Sequence, residues 1–250
     1  MFPLTTCLAL CAVSLTSVSG TPLGGPAYYP TRDSFAGGIF LRIEPLGASI
    51  VHGVASSDGN GFRKYLRDAI VYNGNRVDMV GSNPNGTMRD NDNSGWPGYV
   101  IDEVHDKSNI DTSNYKPNLV LINAGTNDAI QDKDISNAGQ RMKNMLGDIY
   151  TQSPRATVIL SGLLRNGDSG TDSRAKQINS QYQTLVSALQ SYGKPIIWAD
   201  MQGSDGPTLA DISSDGTHPV DAGYKKMAKI WYAAIAQADA KGYLQQAQRS

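Results

Sequence analysis

Short apolar runs alternate along this chain with longer stretches in which apolar side chains recur every three or four residues. The short runs are typical of buried strands, and the periodic stretches are typical of helices that bury one face. The predicted strands are 39–46, 77–80, 119–122, 157–160 and 195–199. The first predicted helix begins near Gly61. Two more carry apolar stripes over 138–149 and 178–189, and the last begins at Pro219.

Strands that alternate with helices predict a central parallel sheet covered by helices on both faces, and therefore an α/β fold. The pattern shows neither an internal repeat nor a second domain, so residues 39–250 are predicted to form one domain. A long polar, Gly-rich region over 81–115 predicts a functional loop. In such sheets, sites form beyond the carboxyl ends of the strands.

The amino-terminal residues predict secretion. Residues 1–20 carry no charged side chain, their apolar run is too short to cross a bilayer, and small residues follow at 17–20. We therefore expect 1–20 to be a secretory signal peptide of an extracellular protein, and 21–38, rich in Gly and Pro, to be a leader segment. Because Cys7 and Cys11 both lie in the signal, the mature chain would have no thiol and no disulfide, which excludes cysteine catalysis.

Charge and motif spacing exclude several kinds of partner. The formal net charge is −1 with both signs mixed along the chain, so nucleic acid and anionic membranes are not expected as partners. Three scattered histidines show no familiar metal-ligand spacing, and no glycine motif for phosphates or dinucleotides is present, so no metal or other cofactor is predicted. Asn85, in Asn85-Gly86-Thr87, is a candidate N-glycosylation site. We expect a monomer.

Three separated segments carry complementary polar chemistry. Ser49 follows the first predicted strand, Asn127 follows the strand 119–122, and Asp215 and His218 precede the last predicted helix. A serine hydroxyl needs a base to become a nucleophile, and His218 can serve as that base when a carboxylate such as Asp215 orients its ring. An asparagine amide can stabilise a developing oxyanion. Together these groups predict acyl transfer, with ester hydrolysis as the leading hypothesis.

Each candidate also has a structural explanation. Ser49 alone could be a turn or cap residue, and His218 could cap the last helix. His52 lies close to Ser49 and competes as the base, although no carboxylate stands at a suitable local spacing. His105 lies among charged residues and is expected to be solvated or on a helix face, whereas Asp128 is expected to cap a helix or tether its loop.

These motifs resemble those of the SGNH hydrolases, the GDSL-type esterases. Ser49 fits the serine block, Asn127 fits the asparagine block, and 215–218 fits the Asp-x-x-His block. The remaining block supplies a glycine whose N–H enters the oxyanion hole; Gly98 is our choice and Gly95 is the alternative. The resemblance implies that Ser49, Gly98 and Asn127 form the oxyanion hole.

The segments 56–61, 80–82 and 95–98 are similar to those of secreted fungal carbohydrate esterases of the acetylxylan esterase type. That similarity implies a flavodoxin-like three-layer sandwich with a central parallel sheet. It also implies hydrolysis of acetyl esters through an acyl-serine, without a metal. One position departs from the family motif, since Ala48 stands where Gly-Asp-Ser-Leu has its aspartate. We expect this change to alter the positioning of Ser49 and to leave the triad in place.

Acetylated plant polysaccharide such as xylan is the predicted substrate. A long loop that contains Trp96 and Tyr99 near the site suits a polymer in an open groove, and these two rings either offer flat faces to sugars or pack beneath the loop. Two other functions stay open. One is a short-chain lipid or general acyl esterase, and the other is a non-catalytic carbohydrate-binding protein on the same fold.

Overall fold

A computed structural model describes residues 34–248, so the predicted signal peptide, both cysteines and most of the predicted leader lie outside the described residues. The strands are β1 (Leu41–Gly47), β2 (Val77–Met79), β3 (Ser94–Gly95), β4 (Leu119–Asn123), β5 (Thr157–Ser161) and β6 (Ile196–Ala199). The α-helices are α1 (Ser49–His52), α2 (Phe62–Tyr72), α3 (Ile101–Tyr115), α4 (Thr126–Gln131), α5 (Ala138–Gln152), α6 (Ser169–Ser191) and α7 (Asp221–Ala240). None of these helices is long and apolar enough to span a membrane.

The strands form one parallel sheet in the order β2-β1-β4-β5-β6, and β3 pairs with the end of β1. The chain moves outward from β1 to β2 and then returns to the other side of β1 with β4. The strand order therefore reverses between β1 and β4, and a switch point of this kind opens a crevice at the carboxyl ends of the strands. The predicted α/β fold, a flavodoxin-like three-layer sandwich, is confirmed.

Alternate side chains of the sheet enter two separate cores. In β4, Leu119 and Leu121 pack into the core formed with α2 and α7, whereas Val120 and Ile122 pack into the core formed with α3, α5 and α6. Successive side chains of a strand point to opposite faces, so β1, β4, β5 and β6 each contribute to both cores. Because both faces are buried, the strands appear in the sequence as continuous apolar runs.

The start of the last helix was predicted two residues too early. α7 begins at Asp221 rather than at Pro219, and Val220 is its N-cap residue. Pro219 instead pairs with Ile212 in an isolated antiparallel bridge. That bridge holds the segment before α7 in an extended conformation, which delays the first helical turn.

The region 81–115 was predicted to be a loop, but its second half is the helix α3. Its buried positions follow helical spacing, and three of these five buried side chains are polar. A sequence pattern that relies on apolar residues at that spacing therefore misses the helix. The buried residues are Ile101, Val104, Ser108, Asp111 and Thr112.

The end of the predicted leader belongs to the folded domain. Phe35 is buried in the core, and its ring centroid lies 5.1 Å from that of Tyr232 on α7. The backbone N–H of Phe35 donates to Oδ1 of Asn75 at 2.8 Å, and the side-chain amide of Asn75 donates back to the Phe35 carbonyl at 3.0 Å. The domain therefore extends at least as far back as this residue.

A buried carboxyl group lies in the middle of β1, below the carboxyl edge of the sheet. Oε2 of Glu44 accepts a bond from Thr112 at 2.7 Å, and its Oε1 lies 3.0 Å from Oγ of Ser94. The same Oγ lies 2.7 Å from Oδ2 of Asp111. Ser94 has one hydroxyl proton and can donate to only one of these two carboxyl groups. In the other contact the carboxyl group must be protonated and donate to Oγ of Ser94. Burial raises the pKa of Glu44 to about 8, although its contacts with Thr112 and Ser94 act to lower it, and we therefore place that proton on Glu44.

Glu44→Gln should remove a pH dependence of stability. The ordinary pKa of this side chain is 4.5 and burial raises it to about 8, so the folded chain holds one more proton than the unfolded chain between those values. The contribution of Glu44 to the free energy of unfolding therefore falls as pH rises through that window. Glutamine imitates the protonated acid, because it can accept from Thr112 and donate to Ser94. Denaturant titrations between about pH 5 and 8 measure the slope.

Asp68→Asn is the matched control, since Asp68 lies on the surface of α2 in an ion pair with Lys64. This control should keep the slope of the parent chain. A Glu44→Gln variant with the parent's slope would contradict the assignment of the proton to Glu44.

Candidate active site

Ser49 is positioned by the turn between β1 and α1. Gly47 ends β1, and Ser49 is the first residue of α1. A Cβ at position 47 would lie 2.1 Å from the carbonyl oxygen of Asn123, so the close approach of β1 and β4 requires glycine there. The turn leaves Ser49 8% exposed beyond the carboxyl end of β1.

His218 and Asp215 complete a chain of hydrogen bonds with Ser49. Oγ of Ser49 lies 2.8 Å from Nε2 of His218, and Nδ1 of His218 lies 2.7 Å from Oδ2 of Asp215. A carboxylate at Nδ1 holds the ring proton there and leaves Nε2 to accept the serine proton. The structure thus brings together three candidates that the sequence places far apart.

The loop that carries Asp215 keeps this carboxyl group ionised. Its Oδ1 accepts the backbone N–H of Thr217 at 2.8 Å and that of His218 at 2.9 Å. Burial acts to raise the pKa of Asp215, but these bonds and the bond from the His218 ring outweigh it and hold that pKa well below its ordinary range. An ionised carboxylate in this place can stabilise an imidazolium ion that forms at His218.

Asn127 lies beyond the carboxyl end of β4, the strand that neighbours β1. It is the second residue of α4, which follows β4 after a short turn. Its Nδ2 donates to the carbonyl oxygen of Tyr99 at 2.8 Å, which fixes the plane of the amide. Within residues 34–248 the second N–H of this amide has no acceptor. One oriented donor is therefore left for a bound anion.

The two candidate oxyanion glycines differ in their surroundings. Gly95 pairs with Gly47, and its N–H donates to Oδ1 of Asn93 at 2.9 Å. A Cβ on Gly95 would lie 2.5 Å from the backbone nitrogen of His52, so this glycine is packed against the serine helix. Gly98 lies in an exposed turn with φ of 87°, and its N–H has no acceptor within residues 34–248. Gly95 is thus packed against α1 with its N–H in use, whereas the N–H of Gly98 is free, and the choice of Gly98 stays a prediction.

The sequence and the fold both match known hydrolases. The model of the GDSL-like Lipase/Acylhydrolase family matches residues 46–226, which include Ser49, Asn127, Asp215 and His218. The chain belongs to this family. A multidomain esterase from Ruminococcus flavefaciens is 28% identical over an alignment of 263 positions, which spans 93% of this chain and 32% of that protein. The chain therefore spans about a third of the length of that relative.

Two solved structures are similar to this GDSL-like chain over most of its length. A family 3 carbohydrate esterase from Clostridium thermocellum matches with a TM-score of 0.72 and 24% identity, covering 82% of this chain and 99% of that one. A family 3 carbohydrate esterase from Talaromyces cellulolyticus matches with a TM-score of 0.70 and 22% identity, covering 81% of this chain and 99% of that one. At these identities the comparison establishes the shared fold.

The two aromatic candidates pack against each other. The rings of Trp96 and Tyr99 are stacked, with their centroids 5.8 Å apart, and Nζ of Lys107 lies 4.3 Å from the centroid of Trp96. Tyr99 also contacts the core that includes α3 and α5. These contacts favour the packing interpretation for both rings.

The other two histidines have different partners. His52 is half-buried, and its Nδ1 lies 3.4 Å from Nδ2 of Asn83. Burial, helped by the charge of Arg63, lowers the pKa of His52. Nε2 of His105 lies 2.8 Å from Oδ2 of Asp148, which joins α3 to α5 as expected of a helix-face residue. Of the three histidines, all within residues 34–248, His218 alone is in hydrogen-bond contact with the Ser49 hydroxyl.

Asp128 tethers the helix that follows the long loop. Its Oδ2 accepts the backbone N–H of Ile101, the first residue of α3, at 3.0 Å. Its Oδ1 accepts a bond from Arg141 at 2.6 Å. The carboxylate therefore connects α3, α4 and α5, which agrees with a tethering role rather than with proton chemistry.

The candidate glycosylation residue points inward. Nδ2 of Asn85 donates to the carbonyl oxygen of His52 at 2.8 Å and to that of Gly59 at 3.0 Å. Both N–H groups of the amide are thus in use, and a glycan on this nitrogen would replace one of them. The use of Asn85 as a glycosylation site stays a prediction.

Arg63 lies beneath the segments that carry the site, and the sequence did not predict this role. Its side chain is fully buried on α2, and burial lowers its pKa to about 10. The guanidinium donates to five backbone carbonyl oxygens at 2.9 to 3.0 Å. A charged residue on the apolar stripe of the predicted first helix was the signal available in the sequence. The acceptors are the carbonyls of Val51, His52, Gly59, Asn85 and Asn91.

Arg63→Met should destabilise the protein strongly. Methionine keeps a long apolar side chain but removes all five bonds and leaves the carbonyls of Val51 and Asn85 without a donor, so we expect the free energy of unfolding to fall by at least about 3 kcal/mol. Denaturant unfolding measures this change. Arg67→Met on the same helix is the control, because Arg67 makes a partly exposed ion pair with Asp90 and its loss should cost about 1 kcal/mol. Equal losses in the two variants would contradict a special role for Arg63.

Proposed function

We propose that this chain is a serine esterase that releases acetate from acetylated carbohydrate. The contact that carries the proposal is the chain of hydrogen bonds from Ser49 through His218 to Asp215. The Asn127 amide lies on α4, the helix that follows the adjacent strand β4. Membership of the GDSL-like family and the fold shared with carbohydrate esterases support it.

The first half-reaction transfers the acetyl group to the enzyme. Nε2 of His218 takes the proton of Ser49 as Oγ attacks the carbonyl carbon of the ester, and an oxyanion forms. When the carbonyl double bond re-forms, the bond to the sugar oxygen breaks, and that oxygen takes the proton from His218. The sugar leaves with a free hydroxyl group, and acetyl-Ser49 remains.

The second half-reaction restores the serine. His218 takes a proton from water as the water oxygen attacks the acetyl carbonyl carbon. Collapse of the second oxyanion breaks the bond to Oγ of Ser49, which regains a proton from His218. Acetic acid leaves and loses its proton to the solvent, which gives acetate. Through both steps Asp215 stays ionised and stabilises the transient imidazolium ion.

The oxyanion would be held by N–H donors at the carboxyl edge of the sheet. The free N–H of the Asn127 amide, the backbone N–H of Ser49 and that of Gly98 are the proposed donors. Ala48 removes the aspartate of the family motif, but its side chain is buried, 5% exposed, where a methyl group fits. The triad contacts form without a carboxylate at that position.

Acetylated xylan is the proposed polymer substrate, and the extracellular space is the proposed location. Residues 1–20 have the composition of a secretory signal, which suits an enzyme whose substrate is too large to enter a cell. The fold shared with two family 3 carbohydrate esterases supports a carbohydrate ester.

Ser49→Ala should abolish ester hydrolysis. Without the hydroxyl no acyl-enzyme can form, so acetate release should fall by at least about 10³-fold. The released carboxylic acid should be measured with three substrates: acetate from acetylated xylan and from a small acetyl ester, and butyrate from a butyryl ester. Ser187→Ala on the exposed face of α6 is the control and should keep full activity.

The three substrates separate the possible functions. Acetate release from xylan that exceeds release from the small ester supports the polymer as substrate. Faster cleavage of the butyryl ester would favour a general acyl esterase. Binding of xylan without hydrolysis of any of the three esters would favour a non-catalytic binding protein.

Asn127→Ala should lower kcat by about 10²- to 10³-fold, because an oxyanion donor acts mainly in the transition state. KM should change much less, since the carbonyl of the bound ester carries little charge. Steady-state kinetics with the small acetyl ester measure both constants. Asn144→Ala, exposed on α5, is the control. A variant at position 127 that loses affinity but keeps kcat would assign the amide to substrate binding.

A further inference from the structure

The catalytic loop, which we define as residues 213–218, is held from one side by the segment 164–168 between β5 and α6. The backbone N–H of Gly167 donates to the carbonyl oxygen of Gly216 at 2.7 Å. Nδ2 of Asn166 donates to Oγ1 of Thr217 at 3.1 Å. Gly216 and Thr217 stand between Asp215 and His218, so both bonds act inside the Asp-x-x-His motif itself.

The two segments leave little room for a side chain at position 167. A Cβ on Gly167 would lie 3.0 Å from Cα of Gly216. Gly216 has φ of 76°, a conformation that costs little for glycine alone. The backbone bond therefore sets the distance between the two segments. The bond from the Asn166 side chain restrains the rotation of the catalytic loop about that contact.

Asn166 is itself firmly anchored. It is 7% exposed, its backbone N–H donates to Oδ1 of Asp172 at 3.1 Å, and its Oδ1 accepts the N–H of Asp168 at 2.9 Å. The oxygen of the amide is thus occupied, which directs Nδ2 toward Thr217. The donor that reaches the catalytic loop has a defined orientation.

Asp172 connects this anchor to α6. Its carboxylate binds Arg165 at 2.8 Å and Lys176 at 2.8 Å in addition to the Asn166 backbone. Burial acts to raise the pKa of Asp172, but the bonds from Arg165, Lys176 and Asn166 lower it to about 2. The carboxylate therefore stays charged, and it links the first turns of α6 to the segment 164–168.

We propose that Asn166 is a positioning residue of the active site. Through Thr217 it holds Asp215 and His218 at the spacing that brings Nε2 of His218 within hydrogen-bond distance of Ser49. The inference rests on the proposed function for its kinetic consequence, since a displacement of the base from its nucleophile lowers the rate of the chemical step.

The test removes the bond from either side. Thr217→Val keeps the shape of the side chain and removes the acceptor, and Asn166→Ala removes the donor. Each should lower kcat for the small acetyl ester by about 10-fold with KM changed by less than about twofold. The double variant should be no worse than either single variant, because both remove one shared bond. Thr217→Ser restores the hydroxyl and should recover most of the activity.

A second measurement does not depend on turnover. The proton between Nδ1 of His218 and Asp215 can be followed by NMR as it exchanges with solvent. It should exchange faster in Thr217→Val and Asn166→Ala than in the parent chain or in Thr217→Ser, because the loop that holds Asp215 is less restrained. If the parent protein shows no hydrolysis that depends on Ser49, the proposed function is rejected. The exchange rate of this proton would still decide whether Asn166 positions the loop.

Asn118→Ala is the matched control for lost stability. Asn118 is also a buried asparagine, it precedes β4 at the amino end of the sheet, and its amide donates to Phe40 and Gln245. It should destabilise the fold while leaving kcat and proton exchange at His218 as in the parent. Unchanged kcat and exchange in both Thr217→Val and Asn166→Ala would overturn the proposal. A loss of kcat in Asn118→Ala equal to theirs would do so as well.

Discussion

The buried guanidinium of Arg63 is the contact on which the irregular half of the site depends. Its five bonds go to carbonyl groups of α1, of the turn after it and of the long loop that precedes α3. These segments lack the regular pairing of a strand or a long helix, so their buried carbonyls need donors from elsewhere. A single planar cation satisfies them together, which fixes the helix of Ser49 relative to the loop that carries Gly95 and Gly98.

The sheet and the polar side chains position the site at different scales. The reversal of strand order between β1 and β4 brings Ser49 and Asn127 to neighbouring strand ends. Buried polar groups then fix the details within hydrogen-bond distances: the Tyr99 carbonyl orients the Asn127 amide, and the segment with Asn166 contacts the catalytic loop. Apolar packing tolerates small shifts, whereas hydrogen bonds specify direction. The hydrogen bonds therefore refine the positions that the packed sheet sets.

The parts of this molecule that could be predicted from sequence are those with a local signal. The strand 119–122 is a continuous apolar run, and the residues of the triad lie in short motifs. α3 could not be predicted, because the partners of its buried Asp111 and Thr112 are Ser94 and Glu44, which lie elsewhere in the sequence. The role of Arg63 could not be predicted either. Its partners are backbone carbonyls, which every residue possesses, so no partner side chain marks them.

Two carboxyl groups near the site show how surroundings rather than residue type decide charge. Asp215 lies at the surface, 45% of its side chain exposed, and three N–H groups donate to it, so it stays ionised. Glu44 lies fully buried in β1 with two hydroxyl contacts, and it keeps its proton. Solvent and backbone N–H groups stabilise a carboxylate far better than an apolar sheet with two hydroxyls does. The loop that ends in His218 can therefore supply a charged partner for the base without burying that charge, whereas a carboxyl group inside the sheet could contribute only as a neutral hydrogen-bonding group.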